Sequence, residues 1–168
     1  PRIIPHPADW PESVHVTGYF FLDTQAGWQP SPELQAFLEA GDPPVYVGFG
    51  SMSGRNPEQL ASLILEALAQ SGQRGLLLTG WGGLHTERVP DNACVVDSAP
   101  HSWLFPRMAA VIHHGGAGTT GAGLRAGIPS AIVAHIGDQP YWGRRIYELG
   151  VGAAPMRRHD LTADRLAA

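Results

Sequence analysis

Lysine is absent from the 168 residues: all 11 basic residues are arginine, set against 15 acidic ones for a net charge of −4. Without lysine, the Walker-type phosphate loop Gly-x4-Gly-Lys-[Ser/Thr] is excluded. Scattered arginines in an acidic chain also lack the basic footprint of a nucleic-acid binder. The single cysteine, Cys94, cannot form an intramolecular disulfide, so a reducing compartment is the expected setting. It lies in a strand-like run, where a thiol serves as a small buried hydrophobe. Long apolar runs are missing too. Stretches such as 75–79 and 131–134 are far too short to span a bilayer, so no transmembrane segment is expected. Charged residues make up only 15%, which is low for a free-standing surface.

Glycine (21) and proline (15) are plentiful, but they punctuate apolar runs instead of massing in one tract, which excludes disorder and collagen. The length suits one domain, 1–168, with the proline-spaced residues 1–12 reading as a linker. The chain opens on Pro1 with no signal-peptide pattern and stops at Ala168 inside an apparent helix starting at Leu161. It is expected to be a piece of a longer protein.

The segments alternate in period. Apolar runs at 45–49, 75–79, 93–97, 109–113 and 130–134 read as strands. Between them lie a helix from Asn56 to Gly72, a short helical stretch at 100–105, a helix from about 116 to 126, and one at 138–149. Asn56, Pro57 and Gln59 give the first of these a capping-box-like start. An edge strand near 14–21 and a helix over 31–40 precede them. Strands that are apolar throughout, alternating with helices, indicate a parallel sheet covered on both faces. The fold class is α/β, a Rossmann-like doubly wound parallel sheet.

In such sheets ligands sit at the carboxyl ends of the strands. Those ends read Gly50-Ser51, Gly80-Trp81, Asp97-Ser98, His113-His114 and Ala134-His135, rich in glycine and polar groups. His113-His114-Gly115-Gly116-Ala117-Gly118-Thr119-Thr120 stands where a strand gives way to a helix. Bare backbone, open N–H groups and the helix's positive end suit a phosphate there, with His113, Thr119 and Thr120 as supplementary donors. The structural alternative is a glycine-rich turn that packs a helix tightly onto the sheet. Asp138-Gln139 follows the fifth strand as a carboxylate and an amide fit for sugar hydroxyls. Asp138 also reads as a helix cap ahead of Pro140. Trp103 and Trp81 sit where a base or ribose could rest, though packing is the commoner role for such a tryptophan.

Other sites fit poorly. Residues 48–54 miss the Gly-x-Gly-x-x-Gly spacing by one, which argues against a nicotinamide site. Ser51 lacks the glycine two residues on that a nucleophile elbow needs. His113 and His114, adjacent on a strand, point to opposite faces, and no further ligands follow at zinc spacing, so no metal is expected.

The run Val111-Ile-His-His-Gly-Gly-Ala-Gly-Thr-Thr120, followed by Gly127-Ile-Pro129 and Gly137-Asp-Gln-Pro140, resembles the donor-binding signature of GT-B nucleotide-sugar glycosyltransferases. Val47-Gly-Phe-Gly-Ser-Met52, Gly80-Trp-Gly-Gly-Leu84, Pro100-His-Ser-Trp-Leu-Phe-Pro106 and Asp138-Gln-Pro-Tyr-Trp-Gly143 are similar to the sterol 3-beta-glucosyltransferase branch and its bacterial natural-product relatives. The resemblance implies the C-terminal, donor-binding half of a GT-B fold. It implies that His113, Gly115, Gly116, Ala117, Gly118 and Thr119 hold the donor diphosphate, with Ser51 facing it from the first strand. Ser98 and His101 would hold the nucleoside, and Asp138 and Gln139 the transferred sugar. One departure is Gly121, which stands where plant members carry a ribose-binding glutamate.

The implied reaction is an inverting displacement that needs neither cofactor nor metal. A UDP- or dTDP-sugar donates a hexose, glucose by the intact hydroxyls that Asp138 and Gln139 favour, to a small hydrophobic acceptor. The general base is expected in an N-terminal acceptor domain absent from this chain, so the fragment should bind donor without transferring sugar. A cytoplasmic enzyme, with membrane-peripheral contact for a lipid acceptor, is implied. The alternatives are a non-catalytic nucleotide-sugar-binding module and, less well supported, a nucleotide-dependent oxidoreductase domain.

Overall fold

The computed structural model describes residues 3–22, 27–50, 56–79 and 89–168. Six parallel strands form the sheet: β1 (Val45–Gly48), β2 (Gly75–Leu78), β3 (Ala93–Val96), β4 (Ala110–His113), β5 (Ser130–Ala134) and β6 (Met156–Arg157). Their order is β3-β2-β1-β4-β5-β6, so the chain runs outward in one direction from β1 and in the other from β4. The expected α/β, Rossmann-like doubly wound class is what the structure has.

Alternation along each strand splits the core in two. Val47, Leu77, Ile112 and Val133 face α2 (Pro57–Ser71), through Leu60, Ile64 and Leu68, and the region of α6 (Ala163–Ala167), through Leu161 and Leu166. The neighbouring strand residues Tyr46, Leu76 and Val111 face α1 (Pro32–Glu39) and α3 (His101–Leu104), with Phe105 and Met108 from the turn after α3. Ile132 and Ala134 face α4 (Ala117–Ala126) and α5 (Gln139–Glu148), with Trp142 and Ile146 fully packed. A sheet buried on both faces needs strands without polar alternation, which is why the sequence shows continuous apolar runs.

Three local expectations change. Residues 14–21 form no strand; they run as irregular chain beside α4 and α5, with the Tyr19 ring 6.0 Å from that of Trp142 and the Arg125 guanidinium over Phe21. The Asn56 side chain makes no cap hydrogen bond, so Pro57 at the first position starts α2 without a capping box. The last helix begins at Ala163, capped by Thr162 accepting from the Arg165 amide at 3.3 Å, instead of at Leu161. Cys94 is only half-buried, and burial pushes its thiol up. Among the described residues, no helix is long and apolar enough to cross a membrane.

Candidate functional site at the carboxyl edge of the sheet

The reversal of strand order between β1 and β4 opens a crevice at the carboxyl ends of the strands. His113 ends β4 beside Gly48 of β1 and Ile132 of β5, and it is fully buried. The Gly115 amide donates to its Nδ1 at 3.0 Å. The ring is therefore the tautomer protonated at Nε2, and Nε2 is buried with no partner among the described residues. Burial lowers its pKa from 6.5 to about 3, with the neighbouring His114 and His101 adding to the shift. What the site offers here is a neutral imidazole with one N–H donor in a fixed direction.

Gly115 makes the turn that sets this up. Its φ is +91°, and a Cβ there would lie 2.8 Å from Ile132 Cγ2 and 3.1 Å from the Gln139 carbonyl oxygen. A side chain is barred by both backbone and space. The chain then enters α4 at Gly116, and among the described residues no side chain caps that helix. The first-turn amides of Ala117, Gly118 and Thr119 are thus open donors at the positive end of a helix. Thr120 is turned inward, its hydroxyl donating to the Gly116 carbonyl at 3.0 Å, so Thr119 remains as the hydroxyl the helix does not engage.

His114 follows the end of β4, its ring centroid 6.2 Å from that of His113 and the two rings at 89°. Its Nδ1 is buried without a partner among the described residues, and burial lowers its pKa against the opposing pull of the Asp138 carboxylate. Asp138 is exposed. Its backbone is already helical (φ −82°, ψ −6°), and its side chain does not cap α5. The carboxylate instead accepts the Trp142 indole N–H through Oδ2 at 2.8 Å, which corrects the cap expectation. Gln139 is buried. Its Oε1 accepts the amides of His135 (2.6 Å) and Ile136 (3.0 Å), tying down the β5–α5 loop and leaving only its amide nitrogen for a ligand.

At the far side, Ser98 is exposed just after β3. His101, the first residue of α3, stacks on Phe105 (4.4 Å, 16°) and stands edge-on to Tyr46. Burial, and next the neighbouring His114, lower its pKa. Trp103 lies 4.9 Å from Trp28 with the rings tilted by 59°, and the Arg107 guanidinium sits over its face, so both its contacts are packing ones. Ser51 and Trp81 lie outside the described residues. The space over Gly121 is taken by the Tyr19 ring, whose Cε1 would lie 2.6 Å from a Cβ there. The Tyr19 hydroxyl is buried without a partner among the described residues, and burial pushes its pKa up to about 12.

Two contributors to this edge were given no role from the sequence, although His135 stood there among the strand ends. His135 has a buried, unpartnered Nε2 among the described residues, and burial first, then Arg158, lowers its pKa to about 4. Its position at a strand's carboxyl end was the available signal. Tyr46 contacts His101 from below, and the signal there was a small residue two places after an aromatic on one strand face. Among the described residues, no three His, Cys, Asp or Glu side chains converge as a metal site.

Residues 80–168 match the family described as erythromycin biosynthesis protein CIII-like, C-terminal domain. The chain is 46% identical to Sterol 3-beta-glucosyltransferase UGT80A2 of Arabidopsis thaliana, over 99% of its own length and 26% of that protein. It is 43% identical to O-mycaminosyltylonolide 6-deoxyallosyltransferase of Streptomyces fradiae, over its full length and 39% of that protein. It thus spans between about a quarter and two-fifths of these curated relatives. Among solved structures, the glycosyltransferase VinC in complex with dTDP superposes with a TM-score of 0.64 at 30% identity, over 78% of this chain and 33% of that one. The fold is that of the GT-B glycosyltransferase neighbours. The chain belongs to the erythromycin biosynthesis protein CIII-like C-terminal domain family, as a glycosyltransferase C-terminal domain with sterol glucosyltransferase and macrolide glycosyltransferase homologues.

Proposed function

We propose that this chain is the donor-binding half of an inverting hexosyltransferase that uses a UDP- or dTDP-sugar. One observation carries the reading: a buried His113, tautomerically fixed with its N–H unpartnered among the described residues, stands beside the uncapped start of α4. One imidazole N–H and three open amides stand within a few residues of each other, a donor set suited to phosphate oxygens. Charge building on the leaving diphosphate during transfer would be met by donors already in place, which is electrostatic preorganisation. His113, Gly115, Gly116, Ala117, Gly118 and Thr119 hold the diphosphate. Ser98 and His101 flank the nucleoside, and Asp138 and the Gln139 amide meet the sugar. The relatives' names, sterol glucosyltransferase and a macrolide deoxyallosyltransferase, support a hexose and a hydrophobic hydroxyl acceptor. The transferred sugar is proposed to be glucose.

The reading assigns no metal and no cofactor to the step. It assigns the general base that deprotonates the acceptor hydroxyl to an N-terminal acceptor domain outside this chain. A cytoplasmic site, with contact at a membrane surface for lipid acceptors, fits that chemistry.

Thermal unfolding with UDP, UDP-glucose, dTDP-glucose and NAD tests the reading. A ligand at about 100 times its dissociation constant adds roughly 2.7 kcal/mol, a shift easily read in the midpoint. Uridine or thymidine compounds should raise the midpoint and NAD should not. His113→Ala should lose most of the shift while keeping its circular dichroism. A shift with NAD alone, or an undiminished UDP shift in His113→Ala, would sink the assignment.

A further inference from the structure

Tyr46 stands in β1 two residues before Gly48, and alternation puts both on one face of the sheet. Its ring runs along the strand toward the carboxyl end, where a Cβ at Gly48 would overlap the Tyr46 hydroxyl. The missing side chain lets a buried phenol reach the floor of the crevice. Tyr46 pairs with Val111 and Gly48 with His113, so the hydroxyl lies one strand away from His113 on the same face.

There it meets His101. Tyr46 Oη and His101 Nε2 are 3.4 Å apart, and the rings stand at 83° with centroids 5.9 Å apart. Phe105 closes the third side, parallel to His101 and edge-on to Tyr46 at 5.0 Å. Satisfaction of the buried hydroxyl assigns the proton. Tyr46 is 2% exposed, and among the described residues its hydroxyl has no acceptor but His101. Were Nε2 the donor, the phenol proton would be buried without an acceptor. With the phenol donating, Nε2 accepts, and the ring proton sits on Nδ1.

We propose that Tyr46 is a positioning residue of the nucleotide site: its buried hydroxyl locks His101 as the neutral Nδ1–H tautomer. The ring then offers the nucleoside a single N–H donor, matched to an acceptor such as a pyrimidine carbonyl oxygen. This rests on the donor-site reading given above. It adds a residue that touches no ligand and acts only through His101.

Tyr46→Phe keeps the ring and removes the hydroxyl. Long-range 1H–15N spectra of the labelled chain report the tautomer of His101 without any nucleotide. In the unsubstituted protein, Nδ1 should carry the proton and Nε2 should be the bare nitrogen; in Tyr46→Phe the ring should become a mixture of tautomers. By calorimetry, UDP affinity should fall roughly three- to tenfold in the variant, the span of one neutral hydrogen bond. Affinity for inorganic pyrophosphate should stay unchanged. A proton on Nε2 in the unsubstituted protein overturns the proposal even if the variant fails to fold. So does an unchanged His101 spectrum, or an equal loss of UDP and pyrophosphate. Failure of the unsubstituted protein to bind UDP overturns the donor-site reading instead, and the spectra tell the two apart.

Discussion

The carboxylate of Asp138 spends Oδ2 on the Trp142 indole, while Oδ1 has no partner among the described residues. Two substitutions separate these uses. Asp138→Asn keeps an oxygen for the indole and removes the charge. It should cost UDP-glucose about tenfold or more in affinity, as expected when a hydrogen bond to a charged acceptor becomes neutral or is lost. UDP alone should lose far less. Asp138→Ala should show the same ligand pattern plus a lower melting midpoint, because the buried end of Trp142 loses its acceptor. Calorimetry with both nucleotides checks this, and equal losses for UDP and UDP-glucose would reduce Asp138 to a packing role. The sequence read the residue both as a sugar ligand and as a helix cap, and the side-chain cap is not what the structure has. A carboxylate before a proline reads as a cap, yet the helical backbone of Asp138 aims it one turn down the helix instead. Side-chain direction at a helix start depends on φ and ψ, which no spacing rule carries.

The β5–α5 loop shows the same limit one level up. Its residues looked like a ligand-binding pair, and the loop does lie at the crevice, but Gln139 Oε1 is occupied by two loop amides. Replacing Gln139 with Met fills similar volume and strands both amides. That should cost about 1 kcal/mol in urea unfolding, the low end of the penalty for unpaired groups, since both amides are only part-buried. An undiminished stability would mean that the amide serves only ligand. The elements around this loop were legible because their signals are local. Pro57 and Ser31 mark helix starts, and runs of apolar residues mark strands buried on both faces. What escaped had no such signal. β6 is two residues long and is ordered by pairing with Val133 and Ala134, not by its own pattern. Residues 14–21 do alternate as a strand would, but the sheet edge they needed is not where they lie. Tyr19 alone of them joins the cluster over α4 and α5, while Val14, Phe20 and Phe21 stay exposed. The His101 environment is equally non-local, since Tyr46 reaches it across a separation of 55 residues.

At the scale of the whole molecule, the crevice gathers His101, His113, His114 and His135, each with its pKa lowered chiefly by burial. The unfolded chain takes up protons on these rings near pH 6.5, whereas the folded one holds His135 neutral down to about 4 and His113 down to about 3. Between those limits the unfolded state binds more protons, so stability must fall as the pH falls. The stabilisation is present above pH 6.5 and is lost progressively on acidification through 4 and toward 3. The free imidazole side chain is the one whose ordinary titration falls between pH 7 and 5, so the decline over that range is read at histidine. The melting midpoint should therefore drop steadily over that range. A single substitution divides the effect. The His135 ring packs beside Phe49 at 5.7 Å and carries a buried nitrogen without a partner among the described residues. Phenylalanine there keeps the ring contact and removes both the nitrogen and its proton. His135→Phe should raise the midpoint at neutral pH and flatten, without abolishing, the decline between pH 7 and 5, because His101, His113 and His114 still titrate. If the His135→Phe curve runs parallel to that of the unsubstituted protein across this range, His135 contributes nothing to the acid response. A crevice lined by neutral imidazoles at physiological pH would then rest on the other three rings alone.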